Sequence, residues 1–288
     1  MTAKNACTLT ALALVLSACI APTGQPTENA ANLTIYFIDV GQGDSTLLVA
    51  SNATHTTALL IDAGDSSHAK NTTRFIAETA PLGLDHALAT HPDADHIAGF
   101  ETILGQAHIV EFDSNGDDKD TLTYARIQEK LTQLGVPQKT LGQGDEIPLA
   151  GNARAQALWP RNGFEGDYNE RSIVLRVTLG GFCVLLTGDA DEKSEEGMLA
   201  DNAVAPCTVL KAGHHGSKYS SSQPFLAAVS PELVAISAGE DNRYGHPNPE
   251  ALARFAAVNA KTIHTAEVGT IVVTTNGTGY YVNGRYTG

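Results

Sequence analysis

THPDADHIAG, residues 90–99, sets His91, Asp93, Asp95 and His96 apart by single residues or none. One turn at a strand end can therefore aim all four side chains into a single cavity, which is what a pair of divalent cations requires. As ordinary surface the same run would crowd three ionisable groups and His96 into one solvated turn. Helix capping accounts for Asp93 or Asp95 singly, not for the whole set. Outward from this run, LLTGD ends at Asp189 and LKAGHHGS holds His214 and His215. Acids and imidazoles in this pattern point to a metal-dependent hydrolase.

The start of the chain reads as an export signal. It has a short polar stretch with one lysine, an apolar run over residues 11–16, and the small residues Ser17 and Ala18 before Cys19. That run is far shorter than the roughly 20 residues of a membrane-crossing helix. Leu16-Ser17-Ala18-Cys19 resembles a bacterial lipobox, so residues 1–18 are expected to be a lipoprotein signal peptide and Cys19 the lipidated N-terminus, with an ordinary cleaved signal as the alternative. Ile20 resembles the residue that sends lipoproteins to the outer membrane. The expected location is the bacterial cell envelope, at the outer membrane or the periplasmic face, or else outside the cell. Residues 19–32 are polar, contain two prolines and show no apolar period, as in a flexible tether. Residues 33–288 are long enough for one large domain.

Of four cysteines, only Cys183 and Cys207 fall in that domain. Both lie in apolar strand-like runs and read as two buried thiols, with a disulfide as the alternative in an oxidising compartment. The formal charge of −14, from 32 acids against 18 bases, argues against a broad electrostatic surface for nucleic acid. No basic stripe studded with aromatic residues is visible along the chain. Some of the acids belong to the proposed metal site, where bound cations would reverse the local sign.

Residues 33–40, 45–50 and 57–63 are β-rich and open the domain as an antiparallel meander. Beyond them strands and helices alternate. Helices are expected over 71–78, 97–104 and 122–134, the last stopped by Gly135 and Pro137, and a strand over 86–90. In the second half, 172–179 and 182–187 form a hairpin delivering Asp189. Helices over 192–200, 224–229 and 249–259 alternate with strands at 208–211 and 233–237, before a hairpin through Asn276-Gly277. Two similar β-then-α halves predict an α/β architecture, an αββα four-layer sandwich with two packed sheets and helices on both outer faces.

The run HPDADHIAG resembles the HxHxDH signature of the metallo-β-lactamase superfamily, with Asp93 where the commoner pattern has a second His. FIDVGQGDSTLL, LIDAG, THPDADHIAG, NERSIVLRV, LLTGDAD, LKAGHHGS and YGHPNP follow in order from Phe37 to Pro249. This set is similar to the C-terminal hydrolase domain of the ComEC (Rec2) DNA-uptake proteins and covers essentially all of the domain. The resemblance implies that His91 and Asp93 hold one metal while Asp95 and His96 hold the other. Asp189 would bridge the two and His214 would complete the second site. The superfamily often has a further His before the bridging Asp; Asn169 and Ser172 stand roughly where that ligand would fall.

Three carboxylates with three imidazoles suit Mn²⁺, with Zn²⁺ as the alternative. Asp62 at a strand end is expected to accept from a ligand imidazole, and Asp44, in a GQGD turn whose glycines let backbone approach a ligand closely, is a candidate for a supporting or substrate contact. His215 and His246 are candidates, with Asp95, for proton transfer or for holding a substrate oxygen. Lys218 could hold a phosphate oxygen. His55, His68, His86, His108 and His264 have no motif around them and read as structural.

The expected activity is hydrolysis of a phosphodiester, with nucleic acid as the expected substrate, by a hydroxide shared between two divalent ions. One alternative keeps the site and changes the bond, to a small phosphoester, lactone or thioester. Another is a non-catalytic lipoprotein accessory of DNA uptake. The chain has no segment that reads as a membrane channel, and oligomeric state has no signature in the sequence.

Overall fold

The computed structural model describes residues 31–287. Cys19, the expected signal peptide and nearly all of the expected tether lie outside the described residues.

The first half contributes β1 (Asn32–Phe37), β2 (Thr46–Ser51), β3 (Thr56–Ile61), α1 (Ala69–Thr79), β4 (Leu84–Ala89), α2 (Ala94–Ile97), α3 (Phe100–Ile103), β5 (Ile109–Ser114), α4 (Leu122–Leu134) and β6 (Gln138–Thr140). The second adds β7 (Glu146–Pro148), β8 (Arg154–Trp159), β9 (Val174–Leu179), β10 (Phe182–Leu186), α5 (Glu192–Ala200) and β11 (Val209–Lys211). It continues through α6 (Gln223–Val229), β12 (Leu233–Ile236), α7 (Pro249–Ala257), β13 (Lys261–His264) and α8 (Thr265–Val268) to β14 (Ile271–Thr275), β15 (Tyr280–Val282) and β16 (Arg285–Tyr286).

These strands form two sheets, ordered β16-β15-β14-β1-β2-β3-β4-β5-β6 and β13-β12-β11-β10-β9-β8-β7. Each sheet is antiparallel where it starts and turns parallel, at β3–β4 in the first and β10–β11 in the second. Apolar residues alternating along the strands supply the core between the sheets, including Leu33, Leu48, Leu59, Val184 and Val273. The opposite face of the first sheet packs on α1, α3 and α4, with Ile76, Phe100 and Leu131 buried there. The opposite face of the second packs on α5, α6 and α7 through Met198, Phe225 and Phe255. The four-layer αββα sandwich is thus as expected, except that the last three strands return to the edge of the first sheet beside β1.

Caps explain the two helices whose bounds match the sequence reading, joined in α4 by an amphipathic period. Thr121 Oγ1 accepts from Tyr124 N and left-handed Gly135 ends α4, while Asp191 caps α5. The helix expected over 97–104 is instead two short ones, α2 and α3. Gly99 lies between them, and a Cβ there would meet Ala63 O at 2.0 Å. Around this contact Ala63 N donates to His96 O and Gly99 N to Gly64 O, tying the end of β3 to the α2 turn. The strands β5, β6, β7, β8, β13 and β16 were not expected; β6, β7 and β16 are too short for a period to register.

Cys183 and Cys207 form a disulfide, contrary to the reading of two free thiols. Their Cα atoms are 4.8 Å apart, within bonding range, because β10 and the segment entering β11 run side by side. Among the described residues no helix is long and apolar enough to cross a membrane.

Candidate metal centre

Parallel strands put their C-terminal ends at one edge of each sheet, and the two edges meet. Asp62 follows β3, Thr90 and His91 follow β4, Asp189 follows β10, His214 and His215 follow β11, and Ser237 follows β12. A chain with these residue types at strand ends concentrates them between loops held by a rigid scaffold.

Asp62 is buried and occupies a positive φ of 56°. Its Oδ1 accepts from Thr90 N at 2.8 Å, while Oδ2 accepts from Thr90 Oγ1 and His96 Nδ1, both at 2.7 Å. The proton of His96 therefore sits on Nδ1, and Nε2 faces Asp189 Oδ1 at 3.2 Å. His215 repeats the arrangement from the other sheet. Its Nδ1 lies 3.0 Å from Ser237 O and 3.2 Å from Asp44 Oδ1, both acceptors. Its Nε2 lies 3.4 Å from Asp95 Oδ2 and 3.5 Å from Asp189 Oδ2. Asp44 is clamped in turn by Lys211 Nζ at 2.7 Å, a lysine only 2% exposed. Gly43 lets this loop come so close that a Cβ would meet Asp95 O at 2.3 Å.

Four buried atoms at the centre have no hydrogen-bond partner among the described residues: His91 Nε2, His96 Nε2, His215 Nε2 and Asp189 Oδ1. Imidazole lone pairs turned toward carboxylate oxygens repel unless a cation lies between them. The donor set thus fits divalent metal. Ligand atoms of Asp44, His96, Asp189 and His215 all fall within 4.8 Å of one another; Asp44 already engages Lys211 and His215 Nδ1, so it supports the cluster rather than facing a metal.

The electrostatics agree. Burial alone would lower the His96 and His215 pKa values, but Asp189, with Asp62 at one and Asp44 at the other, raises His96 well above its ordinary value and pushes His215 to about 10. Burial opposes charge on Asp189 and Asp95 as well, yet the surrounding imidazoles hold both low. The pocket between these carboxylates is therefore built for positive charge. Burial and the neighbouring His96 bring His91 down to about 4.

The remaining sequence candidates take distinct places. Asp93 Oδ1 is 3.9 Å from His91 Nε2, and Lys119 Nζ lies 2.5 Å from that same oxygen. His214 Nε2 is 3.5 Å from Asp189 Oδ2, so both histidines of the pair face the aspartate, His215 from the more buried position. Asn169 Nδ2 sits 3.4 Å from His214 Nδ1, and Ser172 Oγ accepts from Asp189 N, fixing that turn from behind. His246 lies 5.3 Å from the His214 ring and stacks on Tyr244; burial, then His214 and His215, lower its pKa to about 4. Lys218 stands apart, exposed, with Nζ over the Tyr219 ring.

Thr90, Lys119, Lys211 and Ser237 were missed. A lysine inside the short apolar strand β11 was the one available signal, since lysine is almost never buried unpaired. Basic and aromatic groups also gather here from separate segments. Lys119 lies over Tyr168 at 4.5 Å, and Arg243 lies over Tyr244 at 4.8 Å.

The metallo-beta-lactamase superfamily matches residues 38–240. Among curated relatives, the chain is 33% identical over 244 residues to competence protein ComA of Neisseria gonorrhoeae, which covers 83% of the chain and 31% of that protein. It is 29% identical over 256 residues to ComE operon protein 3 of Bacillus subtilis, covering 81% and 32% respectively. The chain thus spans about a third of the length of these relatives. Among solved structures, the metallo-beta-lactamase fold protein YhfI from Bacillus subtilis superposes with a TM-score of 0.56 at 13% identity, over 85% of this chain and 99% of that one. The site at the meeting sheet edges, the four-layer fold and the matched span agree: the chain belongs to the metallo-beta-lactamase superfamily.

Proposed function

We propose that this protein is a metal-dependent phosphodiesterase acting on nucleic acid, with two divalent ions, Mn²⁺ or Zn²⁺, held around Asp189. The observation that carries this reading is the set of buried, unpartnered imidazole nitrogens turned toward Asp189 and Asp95. His91 and Asp93 would hold one ion, and Asp95, His96 and His215, with His214 beside them, the other. When bound, such a pair supplies Lewis acidity and lowers the pKa of a water near it.

The chain's own groups do the positioning. Asp62 and Asp44 orient His96 and His215 through their Nδ1 protons. His246, neutral near pH 7, has a buried and unpartnered Nδ1 that can take a proton. Arg243 is exposed beside Tyr244 and can meet a phosphate oxygen, as can Lys119 beside Tyr168. These cation and tyrosine pairs supply locally what the overall charge of −14 lacks. Relatives named for competence and recombination support a nucleic-acid substrate and a role at the cell envelope.

The test is cleavage of labelled single-stranded DNA and of bis(p-nitrophenyl) phosphate by metal-stripped protein reloaded with Mn²⁺ or Zn²⁺, beside an Asp189→Ala control. Cleavage of both substrates, lost in the control, is expected. Cleavage of the small ester alone would move the substrate to small phosphoesters, and inactivity with metal bound would remove the phosphodiesterase reading. Export and lipid anchoring through Cys19 belong to the same proposal. Radiolabelled palmitate entering the wild-type chain and not Cys19→Ser is the expected result.

A further inference from the structure

His86, which the sequence leaves without a motif, meets two carboxylates on the first sheet. In the parallel register of β4 and β5, His86 lies opposite Glu111 and Leu88 opposite Asp113. Leu88 belongs to the core between the sheets, so side-chain alternation puts His86, Glu111 and Asp113 on that same inner face. His86 Nδ1 is 2.9 Å from Asp113 Oδ2 and 3.6 Å from Glu111 Oε1. A ligand atom from each of the three lies within 4.8 Å of the others.

Two features separate this cluster from an ordinary ion pair. First, the charges do not balance. Two carboxylates against one imidazolium leave one negative charge, and no lysine or arginine among the described residues pairs with Glu111 or Asp113. Second, Asp113 is 0% exposed and its Oδ1 has no hydrogen-bond partner among the described residues. A buried carboxylate oxygen without a partner is costly.

We infer that His86, Glu111 and Asp113 form a second metal-binding site, separate from the Asp189 centre, for a divalent transition ion such as Zn²⁺. A doubly charged ion with a neutral imidazole balances both carboxylates and gives Asp113 Oδ1 a partner. One nitrogen and two carboxylate donors with room for water is a donor set that Zn²⁺ accepts. The side chains of His86 and Glu111 are 12% and 31% exposed, which provides a route of entry and a place for that water. His86 lies on β4 five positions before His91, which follows that strand, at most about 17 Å at strand rise. An ion there would tie β4 to β5 beneath the strand end that presents His91.

Metal content of the full chain, equilibrated with buffered Zn²⁺ and measured by mass spectrometry, tests the inference. Glu111→Gln and His86→Gln should each bind one equivalent less than wild type, with the circular dichroism spectrum unchanged. In the converse experiment, His96→Ala/Asp189→Ala should keep one equivalent, which adding His86→Gln removes. Equal Zn²⁺ content in wild type, Glu111→Gln and His86→Gln would overturn the inference.

Discussion

Asp62 Oδ2 lies 2.7 Å from His96 Nδ1, and Thr90 holds that same carboxylate through both its amide and its hydroxyl. The imidazole is thereby locked with Nε2 toward Asp189 before any cation arrives. Asp62→Ala frees the ring and its tautomer. Affinity for the ion beside His96 should fall about 10- to 100-fold, read by competition with a chromogenic chelator. Unchanged affinity would mean that the buried ring is held by packing alone.

Lys211 and Asp44 form a buried ion pair that supports His215 from behind. Removing the cation leaves Asp44 charged without its main partner, because Lys211 is the group that does most to lower the Asp44 pKa against the effect of burial. Lys211→Met should cost about 3–5 kcal/mol of stability, measured by urea unfolding. Adding Asp44→Leu should recover part of that loss. No recovery would show that the packing of the lysine stem, not its charge, matters.

The Cys183–Cys207 bond closes a loop with a sequence separation of 24. On loop entropy, Cys183→Ala/Cys207→Ala should lose about 3.5 kcal/mol and show a lower urea midpoint. Addition of a reductant should then lower the midpoint of wild type but not of the double variant. Coincident wild-type curves with and without reductant would rule the bond out as a source of stability.

Glu195 is buried where α5 meets the start of α6, accepting from Ser221 N and Ser222 N. Burial raises its pKa from 4.5 to about 7, against the opposing effect of these amides and Arg254. A carboxyl whose folded pKa is raised binds more protons folded than unfolded between those values. Its contribution is therefore full below pH 4.5 and is lost as pH rises through about 7, by on the order of 3 kcal/mol. Glu195→Gln cannot titrate there, so the stability difference between wild type and variant should shrink or reverse from pH 5 to pH 8. Parallel stability curves for the two proteins would refute the assignment.

By itself the sequence determined whatever depends on near neighbours. His91, Asp93, Asp95 and His96 converge because a short turn gives side chains one or two residues apart little choice of direction, while α4 is legible from its period and caps and α5 from its Asp191 cap. The ordered motifs were enough to indicate the four-layer fold, since LIDAG, LLTGDAD and LKAGHHGS each mark the end of a strand. Only tertiary structure decided the rest. It brought β14, β15 and β16 back beside β1, closed Cys183 on Cys207, and set Lys211 on Asp44 across 167 positions of chain. It also placed His215 deeper than His214, because Ser237 O and Asp44 take the His215 Nδ1 proton and leave Nε2 facing the carboxylates. Contacts of this range depend on which sheet edges meet, and local spacing carries no information about that.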